Sequence, residues 1–152
     1  MKKFKLAAVT FAVGMFIAMG SQAFAGGIGY INYQKVQENY PLAQQAVKEI
    51  DAKALEMQQY MVDKEKQYKS LDTPLKKQNF EEATAREFKM KEQAYMKLKA
   101  SKEEMIYNKI QAATKQVLVD QKLDAIVDFR VIFVGGVDIS DLVIQKLKSG
   151  QY

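Results

Sequence analysis

The chain contains no cysteine, no histidine and no tryptophan among its 152 residues. The absence of cysteine excludes disulfides, thiolate zinc ligands and thiol nucleophiles. The absence of histidine removes the commonest general base and metal ligand. Serine and carboxylate chemistry remain open, but the sequence has no Gly-rich phosphate loop and no other arrangement for them. We therefore predict a protein that is not an enzyme, needs no cofactor, and gains its stability from packing or oligomerisation.

The first 25 residues are predicted to be an export signal rather than part of the fold. Three lysines precede an uncharged apolar run, Leu6–Met19. That run is short for a membrane span, and the small-x-small sequence Ala23-Phe24-Ala25 follows it. We expect a secretory signal peptide that is cleaved after Ala25 and delivers the protein to the periplasm. The alternative is an uncleaved anchor.

Removal of this segment changes the charge balance. The whole chain carries 23 basic and 18 acidic residues, a net charge of +5, but three of the lysines belong to the signal. The mature chain then has 20 basic and 18 acidic residues. This near balance, together with export, argues against nucleic acid as a partner. Because no other apolar stretch is long enough to span a membrane, the mature chain is predicted to be soluble.

Helix breakers are scarce in the middle of the chain. The only prolines are Pro41 and Pro74, and no glycine lies in residues 30–134. Each proline suits the first turn of a helix, where its missing N–H costs nothing. Turn and capping residues precede the second proline, namely Asp72 and Thr73. The sequence predicts two long helices, the first from about Leu42 and the second over Leu75–Gln121, joined as an antiparallel hairpin.

Both predicted helices carry a coiled-coil pattern. In the first helix apolar residues alternate in steps of four and three, the 3.5-residue period of a coiled coil. Its predicted seam consists of Ala43, Val47, Ile50, Ala54, Met57 and Met61, and the register continues through Lys64, Tyr68 and Leu71. The stripe of the second helix is Phe88, Tyr95, Leu98, Met105, Ile106, Ile110, Ala113 and Val117, with Lys91 and Lys102 on or near it. Because the second helix is longer, its end must run past the first into the rest of the protein.

Short apolar elements flank this hairpin. They are a strand at Ile28–Asn32, a helical turn at Val36–Tyr40, a β-hairpin of Leu123–Asp128 with Val131–Val134, and a last helix that Asp138 or Ser140 caps and that ends near Gly150. We therefore predict an α+β fold with a small β body from residues 26–41 and 122–152 and a coiled-coil arm from residues 42–121. So few body residues rarely form a core alone, and we expect oligomerisation to complete it.

Two segments of the body resemble the Skp/OmpH-like periplasmic chaperones. Residues 28–36 (IGYINYQKV) are similar to that family's first strand and helix start. Residues 123–128 (LDAIVD) and 137–142 (VDISDL) are similar to its strand pair and closing helix, with Ser140 where threonine is common. With the signal peptide and the charged hairpin, the resemblance covers the whole chain. It implies a homotrimer with a shared β hub, helical arms around a cavity, and ATP-independent holding of unfolded outer-membrane β-barrel proteins.

Three sets of residues are candidate sites, each with a structural alternative. The candidate oligomer interface, for which the alternative is an intramolecular core, is Ile28, Tyr30, Ile31, Val127, Val131, Ile132 and Phe133. Methionine and aromatic residues suit promiscuous apolar contact or simply pack the hairpin. The candidate client contacts are Tyr60, Met61, Phe80, Met90 and Met96, of which all but Met61 are predicted to lie off the seam. A basic run either attracts anionic lipid or lipopolysaccharide or is a solvated face, namely Arg86, Lys89, Lys97, Lys99 and Lys102.

Two other functions fit the same pattern. A coiled-coil structural protein of the cell envelope would have the same arms without a client. A protein that binds anionic lipid would use the basic run, and this activity is compatible with a chaperone. Aggregation and liposome-binding assays distinguish these possibilities.

Overall fold

The computed structural model describes residues 26–152. Within them the elements are β1 (Ile28–Ile31), α1 (Tyr33–Glu38), α2 (Pro41–Lys69), α3 (Pro74–Asp120), β2 (Ala125–Asp128), a 3₁₀ turn (Phe129–Val131), β3 (Val137–Asp138) and α4 (Ser140–Ser149). Long helices dominate and the sheet is small, which confirms the α+β class. The predicted signal peptide and its cleavage site after Ala25 lie outside the described residues.

The sheet has three parallel strands in the order β2-β1-β3. The central strand pairs Ile28–Ile31 with Ala125–Asp128 on one side. On the other side it pairs Gly29–Tyr30 with Val137–Asp138. The central strand thus comes from one end of the described chain and both edge strands come from the other.

The predicted β-hairpin of Leu123–Asp128 with Val131–Val134 is wrong. β2 pairs with β1 in parallel, and the chain turns away immediately after it. The Asp128 carboxylate accepts hydrogen bonds from the backbone N–H of Arg130 at 2.9 Å and from its guanidinium group at 2.8 Å. These bonds fix a tight turn, so residues 131–134 do not return as a neighbouring strand.

Polar side chains join the sheet to the short helices. Asn32 ends β1, and its side chain caps α1 by accepting the N–H of Lys35 at 3.0 Å. The prediction that Asp138 or Ser140 is the N-cap of α4 is wrong, because Ile139 occupies that position, although the Asp138 carboxylate accepts the N–H of Ser140 at 2.9 Å. The Ser140 hydroxyl instead accepts the N–H of Asn32 at 2.9 Å. The last helix ends at Gly150, whose φ of 69° is the left-handed conformation that glycine adopts readily.

Helices α2 and α3 lie side by side and run antiparallel. Pro41 and Pro74 each occupy the first helical position, as predicted, and the Thr73 side chain caps α3. Cross-helix pairs follow each other in opposite order along the two helices: Glu49 with Lys102, Glu56 with Lys91, Lys64 with Glu87, and Tyr68 with Phe80. With 47 residues against 29, α3 extends well past the start of α2, as its predicted length required.

The buried core lies where α3 runs past α2. Its side chains are Val36, Tyr40, Ala43, Ala46, Ile106, Ile110, Ala113, Val117, Leu123, Ile139, Val143, Ile144 and Leu147. Gly29 lies against this core, and a Cβ atom there would come within 2.8 Å of Leu123 Cδ1. Six of the buried residues belong to α2 and α3. The core therefore includes part of the segment 42–121 that the sequence division assigned wholly to the arm.

Candidate functional site

The seam between α2 and α3 differs from the predicted heptad. Val47, Ala54 and Met61, three predicted seam positions, are exposed. In their place the side chains of Lys53 and Tyr60 are half-buried. The predicted seam is wrong at these positions. Polar side chains of α2 lie against α3 in their place, and Tyr60 and Lys64 both contact Glu87 there.

Ion pairs cross the seam along its length. Glu49 pairs with Lys102 at 2.5 Å, and Glu56 accepts from Lys91 at 3.5 Å and from its helix neighbour Lys53 at 2.6 Å. In each case the lysine holds the pKa of the glutamate below its ordinary value. The predicted position of Lys91 and Lys102 near the seam is therefore correct. They contribute charge to a seam that also contains half-buried apolar side chains, among them Ile50, Met57 and Leu98.

Glu87 receives two polar side chains from α2. The Tyr60 hydroxyl donates to its carboxylate at 2.6 Å, and Lys64 Nζ lies 3.0 Å away. Both contacts lower the pKa of Glu87, while burial and the carboxylate raise the pKa of Tyr60 to about 12. Lys64 also lies 5.3 Å from the centre of the Phe80 ring. The prediction that Tyr60 and Phe80 lie off the seam is wrong, because both are half-buried against the partner helix.

The exposed methionines form a different set. Met61, Met90 and Met96 are 44%, 63% and 59% exposed. On α2 three further large apolar side chains are exposed, namely Val47, Leu55 and Val62. Sequence analysis assigned Val47 to the seam and overlooked Leu55 and Val62. Positions 47, 54 and 61 and positions 55 and 62 repeat every seven residues, which was the available signal for a second apolar stripe beside the seam.

A cavity opens beside this stripe between the two helices. Its volume is about 350 Å³, and its walls are Met61, Lys64, Glu65, Tyr68, Phe80, Glu81, Thr84, Ala85 and Phe88. The Tyr68 and Phe80 rings lie 6.4 Å apart at 44°. The hydroxyl of Thr84 is shielded from solvent and has no hydrogen-bond partner, the only such buried side-chain atom in residues 26–152. The cavity is thus mostly apolar, and the Thr84 hydroxyl is not exposed within it.

The predicted basic run divides into two groups. Lys102 pairs with Glu49 across the seam, and Lys99 lies 3.9 Å from Glu103 of its own helix. The other three are exposed and form no ion pair within the described part of the chain, namely Arg86, Lys89 and Lys97. Within the predicted basic run, only this second group presents unpaired positive charge.

The body carries an exposed apolar segment after β2. Val131 is 71% exposed and the Phe133 side chain is fully exposed. Phe129, Val134 and the β1 residue Ile28 are exposed as well. The other interface candidates are half-buried in or near the sheet, namely Tyr30, Ile31, Val127 and Ile132. We name the exposed residues Ile28, Phe129, Val131, Phe133 and Val134 the body patch, of which sequence analysis missed Phe129 and Val134.

The described chain offers few other functional features. No group of three or more acidic side chains in residues 26–152 is placed to hold a metal ion. Among the helices that the structure describes, none combines the length and apolar character of a membrane span. The hairpin surface and the body patch are therefore the features that a functional account must explain.

The chain matches the model of one protein family. That family, described as "Outer membrane protein (OmpH-like)", matches residues 27–147. No curated protein matches the sequence. Among solved structures the chain is similar to a candidate outer membrane chaperone (OmpH-like) from Caulobacter crescentus, with 13% identity over 82% of this chain and 85% of the other. The TM-score of 0.38 is too low to support a structural argument.

Proposed function

Because the chain belongs to the OmpH-like family, a family of chaperones, we propose that it is an ATP-independent periplasmic holdase. Its clients would be unfolded outer-membrane β-barrel proteins, whose alternating apolar strands pair and aggregate when exposed. The observation that carries this proposal is the second apolar stripe of the arm. Large apolar side chains that are exposed on a two-helix arm promote aggregation unless they bind a partner.

The polar seam explains how these side chains stay available. Contacts of glutamate, lysine and tyrosine join α2 to α3, and Met61 and its apolar neighbours remain exposed to solvent. Methionine is flexible and polarizable, which suits contact with many different sequences. Several arms, each with weak contacts, would hold one client through effective concentration. Without nucleotide, release would follow competition by a downstream partner.

We further propose that the body patch joins copies of the chain into a homotrimer. An exposed segment with Phe133 and Val134 fully or nearly fully in solvent is costly for an isolated chain. Its position beside the sheet allows three bodies, residues 26–41 and 122–152, to form one hub. The arms, residues 42–121, would then project from that hub around a shared space. Residues 1–25 would be the signal that exports the chain and is cleaved after Ala25.

Light scattering tests the holdase activity. An outer-membrane β-barrel protein diluted from urea aggregates, and equimolar mature protein should suppress the scattering. A variant with Met61, Met90 and Met96 each changed to glutamine should suppress it less, while Leu75→Gln at the exposed hairpin turn should behave as the unsubstituted protein. If the unsubstituted protein leaves aggregation unchanged, the chain is a structural protein of the envelope and the proposal fails.

Binding to anionic lipid is a second candidate function. It is favoured by Arg86, Lys89 and Lys97, which are exposed and form no ion pair in residues 26–152. Such charges attract anionic head groups, and the attraction weakens with salt. The triple variant with glutamate at these positions should lose salt-sensitive binding to anionic liposomes or lipopolysaccharide. Lys66→Glu, an exposed change elsewhere on the arm, is the control.

A further inference from the structure

The methionines of the described chain are confined to the arm. They lie in α2 and α3, namely Met57, Met61, Met90, Met96 and Met105. Residues 26–41 and 122–152, which form the body, contain no methionine. No methionine belongs to the buried core of residues 26–152, although Met105 is half-buried against it. A reaction that modifies methionine therefore changes the arm and leaves the side chains of the body as they are.

Three of these thioethers are open to solvent. Met90 is 63% exposed, Met96 59% and Met61 44%. Met57 and Met105 are half-buried. Because the chain has no cysteine, histidine or tryptophan, methionine is the side chain that a peroxide attacks first. Since susceptibility to oxidation follows exposure, the three exposed methionines should react before the half-buried pair.

Oxidation changes the property on which contact with a client depends. Methionine is flexible and apolar, whereas methionine sulfoxide is polar and chiral. Met61 lines the apolar cavity of the arm together with Phe80 and Phe88, so its oxidation places an S=O group at that surface. Burial of a polar group against apolar side chains is unfavourable when the group has no hydrogen-bond partner. An apolar strand of a client therefore gains less from contact with the oxidised arm.

The contacts that maintain the arm do not use these sulfur atoms. Glu49 pairs with Lys102 across the seam, and Tyr60 donates a hydrogen bond to Glu87. Peroxide at a dose that oxidises thioethers leaves ammonium, carboxylate and aliphatic groups unchanged. The fold should therefore survive a reaction that alters its exposed apolar surface.

We propose that Met61, Met90 and Met96 are sites of reversible oxidation by peroxides, and that sulfoxide formation there weakens the hold of the arm on a client. The inference rests on the proposed holdase function and adds a chemical means of regulating it. The thioether sulfur attacks one peroxide oxygen, so that the S–O bond forms and the O–O bond breaks. The sulfur gives up an electron pair, and hydrogen peroxide is reduced to water. Methionine sulfoxide reductases, one for each epimer, reverse the change with electrons from a dithiol and release the oxygen as water.

Peptide mass spectrometry after limited treatment with hydrogen peroxide tests the sites. In the folded protein, we expect Met61, Met90 and Met96 to gain one oxygen atom each before Met57 or Met105 does. Treatment in urea is the control, because unfolding exposes all five methionines and should remove the difference. If Met57 and Met105 react as fast as the other three in the folded protein, the assignment of the sites is wrong.

Light scattering of an aggregating outer-membrane β-barrel protein tests the effect on holding. Equal suppression should require about five-fold more of the oxidised protein or higher, the factor expected when one polar group is buried without a partner. Treatment with both reductases should restore the untreated value. Circular dichroism and sedimentation should give the same helix content and mass before and after oxidation. A loss of either would overturn the inference, because oxidation would then act through the fold.

Leucine variants assign the effect to the exposed positions. Met61→Leu, Met90→Leu and Met96→Leu together remove the reactive thioethers and keep apolar side chains, so the treated variant should suppress scattering as well as its own untreated form. The matched control combines Met57→Leu with Met105→Leu. It keeps the three exposed thioethers and should lose suppression on treatment as the unsubstituted protein does. Sensitivity of the triple variant, or resistance of the control, would contradict the proposal.

The same measurements separate this inference from the proposed function. If the untreated protein suppresses aggregation and the oxidised protein does so equally well, regulation by oxidation is wrong and the holdase remains. If the untreated protein does not suppress aggregation at all, the proposed function itself is wrong, and the effect on holding is rejected with it.

Discussion

The hydroxyl of Ser140 accepts a hydrogen bond of 2.9 Å from the backbone N–H of Asn32, 108 positions earlier in the chain. Ser140 is fully buried at the start of α4, and Asn32 joins β1 to α1. The bond therefore fixes the first strand against the last helix. The Asp138 carboxylate completes the junction by accepting the N–H of Ser140.

Removal of this hydroxyl should destabilise the body. Ser140→Ala leaves the N–H of Asn32 without its partner in a buried setting, which costs about 1–3 kcal/mol. Urea denaturation followed by circular dichroism measures the loss in the free energy of unfolding. Ser101→Ala, an exposed change in the middle of α3, should stay within about 0.5 kcal/mol. Equal stability of both variants would show that the junction contributes nothing.

A methyl group at position 29 should overfill the core. The Cβ of Gly29→Ala would come 2.8 Å from Leu123 Cδ1 and 3.3 Å from Ile126 Cγ1, so we expect a loss of about 1–3 kcal/mol. Gly27→Ala is a close control, because a Cβ there meets no atom within 4 Å. The double variant Gly29→Ala, Leu123→Ala should lose less free energy of unfolding than the sum of the losses of the two single variants. Strict additivity would contradict the close approach.

Acid should loosen the arm before it unfolds the body. The pKa values of Glu49, Glu56 and Glu87 are lowered in the folded chain by their lysine partners and, for Glu87, first by Tyr60. A lowered carboxyl pKa stabilises the fold above its unfolded value of about 4.5, and that stabilisation is lost as the pH falls below this value. Helix content measured from pH 7 to pH 3 should decline, and changing all three glutamates to glutamine should flatten the decline. Glu92→Gln, an exposed residue without an ion pair in residues 26–152, should leave it intact.

Tyr60 should titrate later than an ordinary tyrosine. Its pKa of about 12 exceeds the usual value of 10, so its neutral form stabilises the hairpin fully below pH 10 and loses that effect as the pH rises towards 12. Tyr60→Phe should remove a late component from the ultraviolet titration of phenolate and lower stability by about 1 kcal/mol through the lost bond to Glu87. Tyr107→Phe, at a largely exposed side chain, is the control. A late component that persists in Tyr60→Phe without reduction would contradict the assignment.

Substitutions in the body patch should lower the oligomeric mass of the protein in solution. Val131→Ser with Phe133→Ser removes exposed apolar surface that touches no core, so the fold of the single chain should survive. Sedimentation at micromolar concentration should then show a lower mass than that of the unsubstituted protein. Leu75→Ser at the far end of the arm should leave the mass unchanged. A monomeric unsubstituted protein would remove the basis for a shared hub.

Local chemistry explains which elements could be predicted from sequence. Pro41 and Pro74 mark the starts of α2 and α3 because a proline at the first helical position is favoured whatever surrounds it. The stripe of α3 from Phe88 to Val117 was also correct, since every member is at least half-buried. These features depend on residues a few positions apart.

Features that depend on distant partners could not be predicted in the same way. The register of α2 was wrong at Val47, Ala54 and Met61, since Lys53 and Tyr60 are half-buried instead and Tyr60 meets a partner, Glu87, on the distant helix. The apolar run Val131–Val134 has the composition of a strand, but the Asp128–Arg130 turn directs it elsewhere. The cavity depends on how two helices meet, and neither helix alone indicates it.

The parallel sheet has a consequence for the order of folding. Its central strand, Ile28–Ile31, is synthesised before the arm, yet both neighbouring strands lie more than ninety residues later, beyond the whole arm. Helices form in about a microsecond from nearby residues, whereas contacts between distant residues form slowly. Helices α2 and α3 can therefore form while β1 is still unpaired. The arm of a newly made chain is therefore exposed to solvent before the sheet at its base has formed.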